Sequence, residues 1–422
     1  MKILKDKGIF AFICSNKFAK ANYGKKLRKL ILENQLKIYN DFTGLKIFKE
    51  ASVDTCVIQI KKDFIENNEV YVDDEYFMKQ NKLNSNSFMF NSPQILNLRE
   101  KIFNQGTLIK DLDIQINRGI LTGFNKAFII DEKTKDKLIS EDFNNKEIIK
   151  PLLRGRDIDK WRINYDNLYL IHSYDGLNIF DKYPIIYNYL SQYKEKLEKR
   201  YDKGKNWYNL RACSYDDLFE KEKIIYSEIS HKPQFTYDLN EYYLSNTAYL
   251  INSEKINLKY LLGLLNSNVI FWIFKHISYN LGESSYRFIK QFVEQIPIVM
   301  DNENLENIIF IVDQILLYSK QIKNEKIKMY NLIMQESCNN KLSKKLESFY
   351  KLSEKEFLKD IKKINKNINE DELLKKFNLS KIKINSIISK FDNSNQKLNK
   401  LIYKSYKLNT DEIMIIEDDL IK

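Results

Sequence analysis

Three runs near the start of the chain decide how its first domain is read: GIFAFIC at Gly8–Cys14, YGKKLRKLILE at Tyr23–Glu33 and VDTCVIQI at Val53–Ile60. The first is an unbroken apolar run of strand length and predicts a buried strand. The second places Leu27, Leu30 and Ile31 at helical spacing. IYNDF, Ile38–Phe42, and the third run predict two further strands. Strand, helix and strand with continuous apolar runs are the pattern of an α/β sheet covered on both faces. So little chain precedes the first strand that residues 1–62 read as the closing part of a Rossmann-like domain, with its opening part outside this sequence.

Outward from that region the character changes twice. Residues 63–105 are polar and Asn-rich and read as a spacer with short strands. Residues 106–299 are rich in Tyr, Phe and Arg, carry many strand-like pieces, and predict an α+β domain ending near Pro297. From 300 to 422 the pattern is helical, with Leu305, Ile308, Ile309, Val312, Ile315 and Leu316 on one stripe. The expected fold is therefore an α/β tail, an α+β domain and an α-helical C-terminal region.

The chain has 422 residues and a formal net charge of +12, which makes a polyanion the first partner to consider. Lysine enrichment of an AT-rich genome explains part of that charge. Only nine of the 69 basic residues are Arg, and all lie within the first 287 positions. Arg grips phosphate or guanine with paired hydrogen bonds, so specific recognition is expected before the C-terminal third. The four cysteines are dispersed and the three histidines isolated, which argues against a zinc site or a disulfide framework. The charged start is not a signal peptide, and a cytoplasmic location is expected.

No two prolines are adjacent, so the Asn/Asp-Pro-Pro-aromatic loop of amino-methyltransferases is absent. Gly-x-Gly, the Gly-x-x-x-x-Gly-Lys phosphate loop and a nuclease-type Glu-x-Lys pair are absent too. The chain lacks visible equipment for group transfer by itself.

Four segments nonetheless resemble one family: GIFAFICSNKFAKANYGKKLRKLI (Gly8–Ile31) with GLKIFKEASVDTCVIQIK (Gly44–Lys61), INRGILTGFNKAFIID (Ile116–Asp131), EIIKPLLRGRDIDKW (Glu147–Trp161) and LNKLIYKSYKLNTDEIMIIE (Leu398–Glu417). They resemble, in family order, the Eco57I-like and TaqI-like adenine-specific DNA methyltransferases of restriction-modification systems. The resemblance implies that 1–62 close a methyltransferase domain and that 106–299 are a TaqI-like target-recognition domain binding double-stranded DNA. It also implies S-adenosylmethionine as donor, held mainly by a missing N-terminal portion or a separate subunit carrying the catalytic motifs.

Amino-methylation of adenine needs the base outside the duplex. The resemblance places Phe48 against that flipped base; a core Phe beside a turn is the alternative. Ser15, Asn16 and Lys17 follow a strand, as α/β sites do, or simply cap a helix. In RGILTGFNKAF, Gly119 and Gly123 free backbone amides for a phosphate, with Arg118, Thr122, Asn125 and Lys126 beside them. Arg154 and Arg156 point alike if LLRGRD is extended; one would then read DNA while the other pairs with Asp157. Lys232 and Gln234, near Glu228 and His231, and Arg287, beside Ser284 and Ser285, complete the candidate contacts. Asn409 and Glu412 form a capping box. The rival function is a non-catalytic DNA-binding specificity subunit, which has no use for part of a methyltransferase sheet.

Overall fold

A computed structural model of the chain describes residues 1–48, 53–86, 88–278, 280–281, 285–335, 343–364 and 369–421. The fold divides into two compact units. One comprises Met1–Thr107, Trp272–Arg287 and Asn409–Lys422; the other comprises Leu108–Phe271 and Phe288–Leu408.

In the first unit, β1 (Ile9–Ser15), β2 (Gln35–Asp41), β3 (Thr55–Lys61), β4 (Glu69–Val72) and β5 (Tyr76–Lys79) form one sheet ordered β1-β3-β2-β4-β5. Only β2 and β4 pair in parallel; the other neighbours run antiparallel. Helix α1 (Lys25–Leu32) connects β1 to β2, and α2 (Pro93–Gln105) follows β5. Cys56, Ile58 and Ile60 of β3 are buried, alternating with half-buried Val57, Gln59 and Lys61. That period of two marks a sheet with one core face.

Three expectations are corrected here. β1 is an edge strand, and Ile9, Phe10, Phe12 and Ile13 are all exposed rather than buried. Phe10 and Phe12 sit opposite Ile60 and Ile58 and share their face, yet the layer that covers β3 does not reach them. Helix α1 buries Arg28 and Ile31 and leaves Leu27 and Leu30 exposed. Arg28 is accommodated because its guanidinium donates to the carbonyls of Phe18, Ala21, Ser85 and Asn86, using donors on each nitrogen. The stretch read as a spacer with short strands supplies β4 and β5 as expected but also helix α2, and it puts Val70, Val72, Met78 and Phe88 in the core of this unit.

In the second unit two four-stranded sheets carry the chain. The strands are β6 (Gln115–Arg118), β7 (Ile129–Asp131), β8 (Ile149–Leu153), β11 (Leu168–Ile171), β12 (Lys223–Ser227), β13 (Phe235–Asp238), β14 (Tyr243–Leu244) and β15 (Ala248–Asn252). One sheet runs β14-β8-β11-β7 and the other β13-β12-β15-β6. A small hairpin, β9 (Ile158–Asp159) and β10 (Arg162–Ile163), joins neither sheet but packs beside β13, where the Trp161 amide donates to the Phe235 carbonyl at 3.1 Å. Helix α3 is the single turn Asn125–Phe128, and α4 is Leu258–Leu265. The long helices α5 (Leu305–Gln335) and α6 (Glu370–Ser405) share a core that includes Met329, Ile333, Phe377 and Ile384. The predicted stripe on α5 is inward at Ile308, Val312 and Ile315. A Cβ at Gly263 would meet Val312 and Ile308 at 3.0 and 3.1 Å, so glycine lets α4 lie close against α5.

Candidate nucleic-acid interface

The predicted contact residues of the second unit fall into two groups, those held internally and those left facing solvent. Arg118 ends β6, where its Nε donates to the Asn246 carbonyl at 2.7 Å and its Nη2 to Glu228 Oε2 at 2.5 Å. Its guanidinium also lies 5.8 Å from the centre of the Tyr249 ring. The Arg118 side chain is 45% exposed and that of Glu228 only 8%, so the arginine serves an acid inside the fold and shows one flank outside. Next to it, a Cβ on Gly119 would stand 2.1 Å from the Ser245 carbonyl oxygen, so only glycine fits this approach. Gly123 has φ +66°, the left-handed region that glycine enters freely.

Thr122 is corrected as a contact residue: it is buried, and its hydroxyl donates to Asn125 Oδ1 at 2.5 Å. The Thr122 carbonyl receives Arg200 Nη1 at 2.6 Å. Arg200 donates as well to the carbonyls of Leu197, Trp207 and Asn209, and burial lowers its guanidinium to about 10. Asn125 and Lys126 are exposed on the turn α3.

Arg154 is likewise turned inward. It donates to both Asp157 oxygens and, through Nη2, to Asp166 at 2.6 Å. The hydrogen bonds with Asp157, then those with Asp166, raise its pKa against the opposing effect of burial. Gly155–Asp157 form a single 3₁₀ turn rather than an extended piece. Arg154 and Arg156 therefore do not point alike, and Arg156 is exposed. Lys232 is exposed in the loop between β12 and β13, whereas Gln234 Nε2 donates to Asp159 Oδ1 at 3.2 Å. Arg287 is half-buried on the short strand Ser285–Arg287 of the first unit. Ser284 lies outside the described residues.

In the first unit Ser15 caps the 3₁₀ turn Asn16–Ala19, its Oγ accepting from the Lys17 amide at 3.4 Å. Asn16 Nδ2 donates to Asp41 Oδ1 at 3.0 Å and Thr43 Oγ1 at 2.7 Å, and Lys17 pairs with Asp54 at 3.2 Å. Phe48 is 44% exposed. The rest of its motif at 49–52 lies outside the described residues.

Sequence reasoning passed over Lys160, in the hairpin turn between β9 and β10. Its Nζ donates to the Asn266 carbonyl at 2.7 Å, and burial, aided by nearby Lys232, lowers its pKa to about 8. Nothing in a lysine-rich sequence distinguishes this lysine from its neighbours.

Comparison with known proteins places these observations. Residues 150–298 match the TaqI-like C-terminal specificity domain, residues 1–48 the Eco57I restriction-modification methylase, and residues 301–402 a domain of unknown function (DUF8810). The chain is 24% identical to the type II methyltransferase M.BstVI of Geobacillus stearothermophilus over 354 residues, which cover 73% of this chain and 60% of that protein. It is 27% identical to M.MjaIV of Methanocaldococcus jannaschii over 251 residues, 55% of this chain and 82% of the relative. M.BanIII of Aneurinibacillus aneurinilyticus is 27% identical over 243 residues, 53% of this chain and 41% of the relative. The chain thus spans less than two thirds of two of these three relatives. Its fold is similar to that of the Type IIL restriction-modification enzyme MmeI, solved in complex with DNA, with TM-score 0.50 and 14% identity across 94% of this chain and 49% of that one. No described helix is long and apolar enough to cross a membrane. The chain is therefore methyltransferase-like, carries a TaqI-like C-terminal specificity domain, and has type II restriction-modification methyltransferases as its relatives.

Proposed function

We propose that this chain supplies DNA-target recognition to a site-specific adenine-N6 DNA methyltransferase of a restriction-modification system. Residues 106–299 would bind double-stranded DNA and help position a flipped adenine. The carrying observation is the match of 150–298 to the specificity domain. Exposed Lys126, Arg156 and Lys232 in the same unit support it, as side chains of the kind that meet phosphate or a base edge. Residues 1–48, which match a methylase, favour this reading over a non-catalytic specificity subunit.

The methyl donor implied is S-adenosylmethionine, and the residues present do not fit it. The chain has no Gly-x-Gly, and Asn16, at the end of β1, is taken up by Asp41 and Thr43. Donor binding and methyl transfer then fall to a segment or subunit carrying the glycine and Pro-Pro loops. What this chain contributes is grip, orientation and, through the flat face of Phe48, a wall for an extruded base.

Fluorescence anisotropy with a labelled duplex across about 50–200 mM salt tests the reading, because each phosphate contact adds about 0.9 to the slope of log affinity against log salt. Lys126→Ala and Arg156→Ala should each flatten that slope while leaving thermal melting unchanged. A chain that melts normally and shows no salt-sensitive affinity for duplex DNA would defeat the proposal.

A further inference from the structure

The hairpin β9–β10 gathers cations without enough acid to balance them. Asp159 is engaged by Arg162 across the hairpin and by the Gln234 amide at 3.2 Å. Lys160, in the turn, donates to the Asn266 carbonyl at 2.7 Å and makes no ion pair with a carboxylate among the described residues. Lys232 is two residues before Gln234, whose amide reaches Asp159 next to Lys160, and its charge opposes that of Lys160. Beside the other strand, Lys323 of α5 donates to the Ile163 carbonyl at 2.8 Å, also without a carboxylate, and feels Arg162.

Lys223 shows how the same fold treats a buried lysine that has a purely internal role. Its Nζ meets Asp238 at 2.8 Å, with both side chains fully buried. A desolvated charge ordinarily has a counter-ion, and the half-buried Lys160 has the Asn266 carbonyl instead. Lys160, Lys232 and Lys323 come from three separate chain segments that border this one hairpin, so local composition does not account for the grouping.

We propose that Lys160 and Lys232, with Lys323 extending the strip along the hairpin, seat a phosphate group of a duplex DNA backbone. This rests on the DNA-binding reading above and adds to it a contact shared between the strand-rich part of the unit and helix α5. The phosphate supplies the counter-charge that Lys160 lacks, and Lys232, being exposed, meets it from the solvent side. A backbone phosphate carries no sequence information, so the seat fixes register rather than target choice.

The test compares Lys160→Gln, Lys232→Gln and Lys323→Gln with Lys137→Gln, an exposed lysine paired with Glu141 at 3.9 Å. Anisotropy of a labelled duplex is read across about 50–200 mM salt, where losing one phosphate contact lowers the slope by about 0.9. Lys160→Gln and Lys232→Gln should each show that loss, Lys323→Gln a loss of the same sign, and Lys137→Gln none. Lys160→Gln should melt no lower than the parent, because it removes a half-buried charge that pairs with no carboxylate among the described residues. Wild-type slopes in both Lys160→Gln and Lys232→Gln would overturn the proposal. Should Lys160→Gln unfold, the exposed Lys232 decides alone. If inorganic phosphate at matched ionic strength erases the difference between wild type and Lys232→Gln, the seat belongs to the free anion and the nucleic-acid assignment falls. Wild-type chain without duplex affinity would instead sink the broader function, a result distinct from intact affinity with unchanged slopes.

Discussion

Arg118 and Lys126 looked alike in sequence, both flanking the glycines of RGILTGFNKAF, and the fold separates them. Arg118 neutralises Glu228 as well as showing a flank to solvent, while Lys126 stands exposed on α3. Arg118→Ala should therefore reduce both stability and DNA affinity. Because the arginine is nearly half exposed, solvent screening holds its stability loss to about 1–2 kcal/mol. Lys126→Ala should reduce affinity alone. Calorimetric melting alongside anisotropy decides, and an Arg118→Ala protein that melts like the parent would free Arg118 from its internal role. Lys160 makes a second residue-scale prediction. The unfolded chain holds its proton up to about 10.5 whereas the folded chain releases it near 8. Between those values the unfolded state binds more protons, so stability contributed at this site rises with pH. The melting difference between wild type and Lys160→Gln should shift in favour of wild type as pH increases through that window, and a constant difference would show that the ammonium is not desolvated. Deprotonation also removes the charge that a phosphate would meet, so the affinity advantage of Lys160 should fade above about pH 8.

At the scale of elements, position was legible and orientation was not. Apolar run length located β1 and β3, and the 3.6-residue period located α1. The inward side of α1 was misjudged because a guanidinium meeting four backbone carbonyls can be buried where leucines stay out. Residues 63–105 carry the short strands expected of them, β4 and β5 of four residues each, whereas helix α2 was hidden because its buried Leu98 and Ile102 stand among polar neighbours. The same limit governs the site. Arg154 and Arg156 are two residues apart in sequence, and their separation in space depends on a 3₁₀ turn and on Asp166, twelve residues beyond Arg154. Phe48 belongs at this scale too, since its exposure argues against the core alternative. Phe48→Ala should shift stability by no more than about 0.5 kcal/mol, as surface changes do. In an enzyme reconstituted with the catalytic motifs it should cost about 1–3 kcal/mol of base stacking, with Trp or Tyr restoring part. Fluorescence of 2-aminopurine at the target position reads this, and equal extrusion by wild type and Phe48→Ala would remove Phe48 from the pocket.

For the molecule as a whole, the sheet of the first unit ends in an edge that soluble proteins normally avoid. β1 pairs with β3 on one side alone, runs for seven residues, and reads IFAFICS with no charge and no proline. Edge strands are ordinarily blunted by charge, bulges or covering segments, and this one presents Phe12 at 54% exposure beside exposed Ile9, Phe10 and Ile13. Its backbone groups on the open side are donors and acceptors in register for another strand. Two consequences follow physically. Amides of β1 on the open side should exchange with deuterium far faster than those of β3, which is paired on both sides. The purified chain should also associate as its concentration rises, because pairing at this edge removes apolar surface from water. Phe12→Lys places a charge at a position opposite Ile58 that is already 54% exposed, so it should suppress association while leaving the melting temperature close to the parent's. Sedimentation velocity over a concentration series measures the first effect and thermal melting the second. A parent chain that stays monomeric, with β1 amides as protected as those of β3, would mean that the edge is already covered and that the exposed apolar face is not a pairing surface.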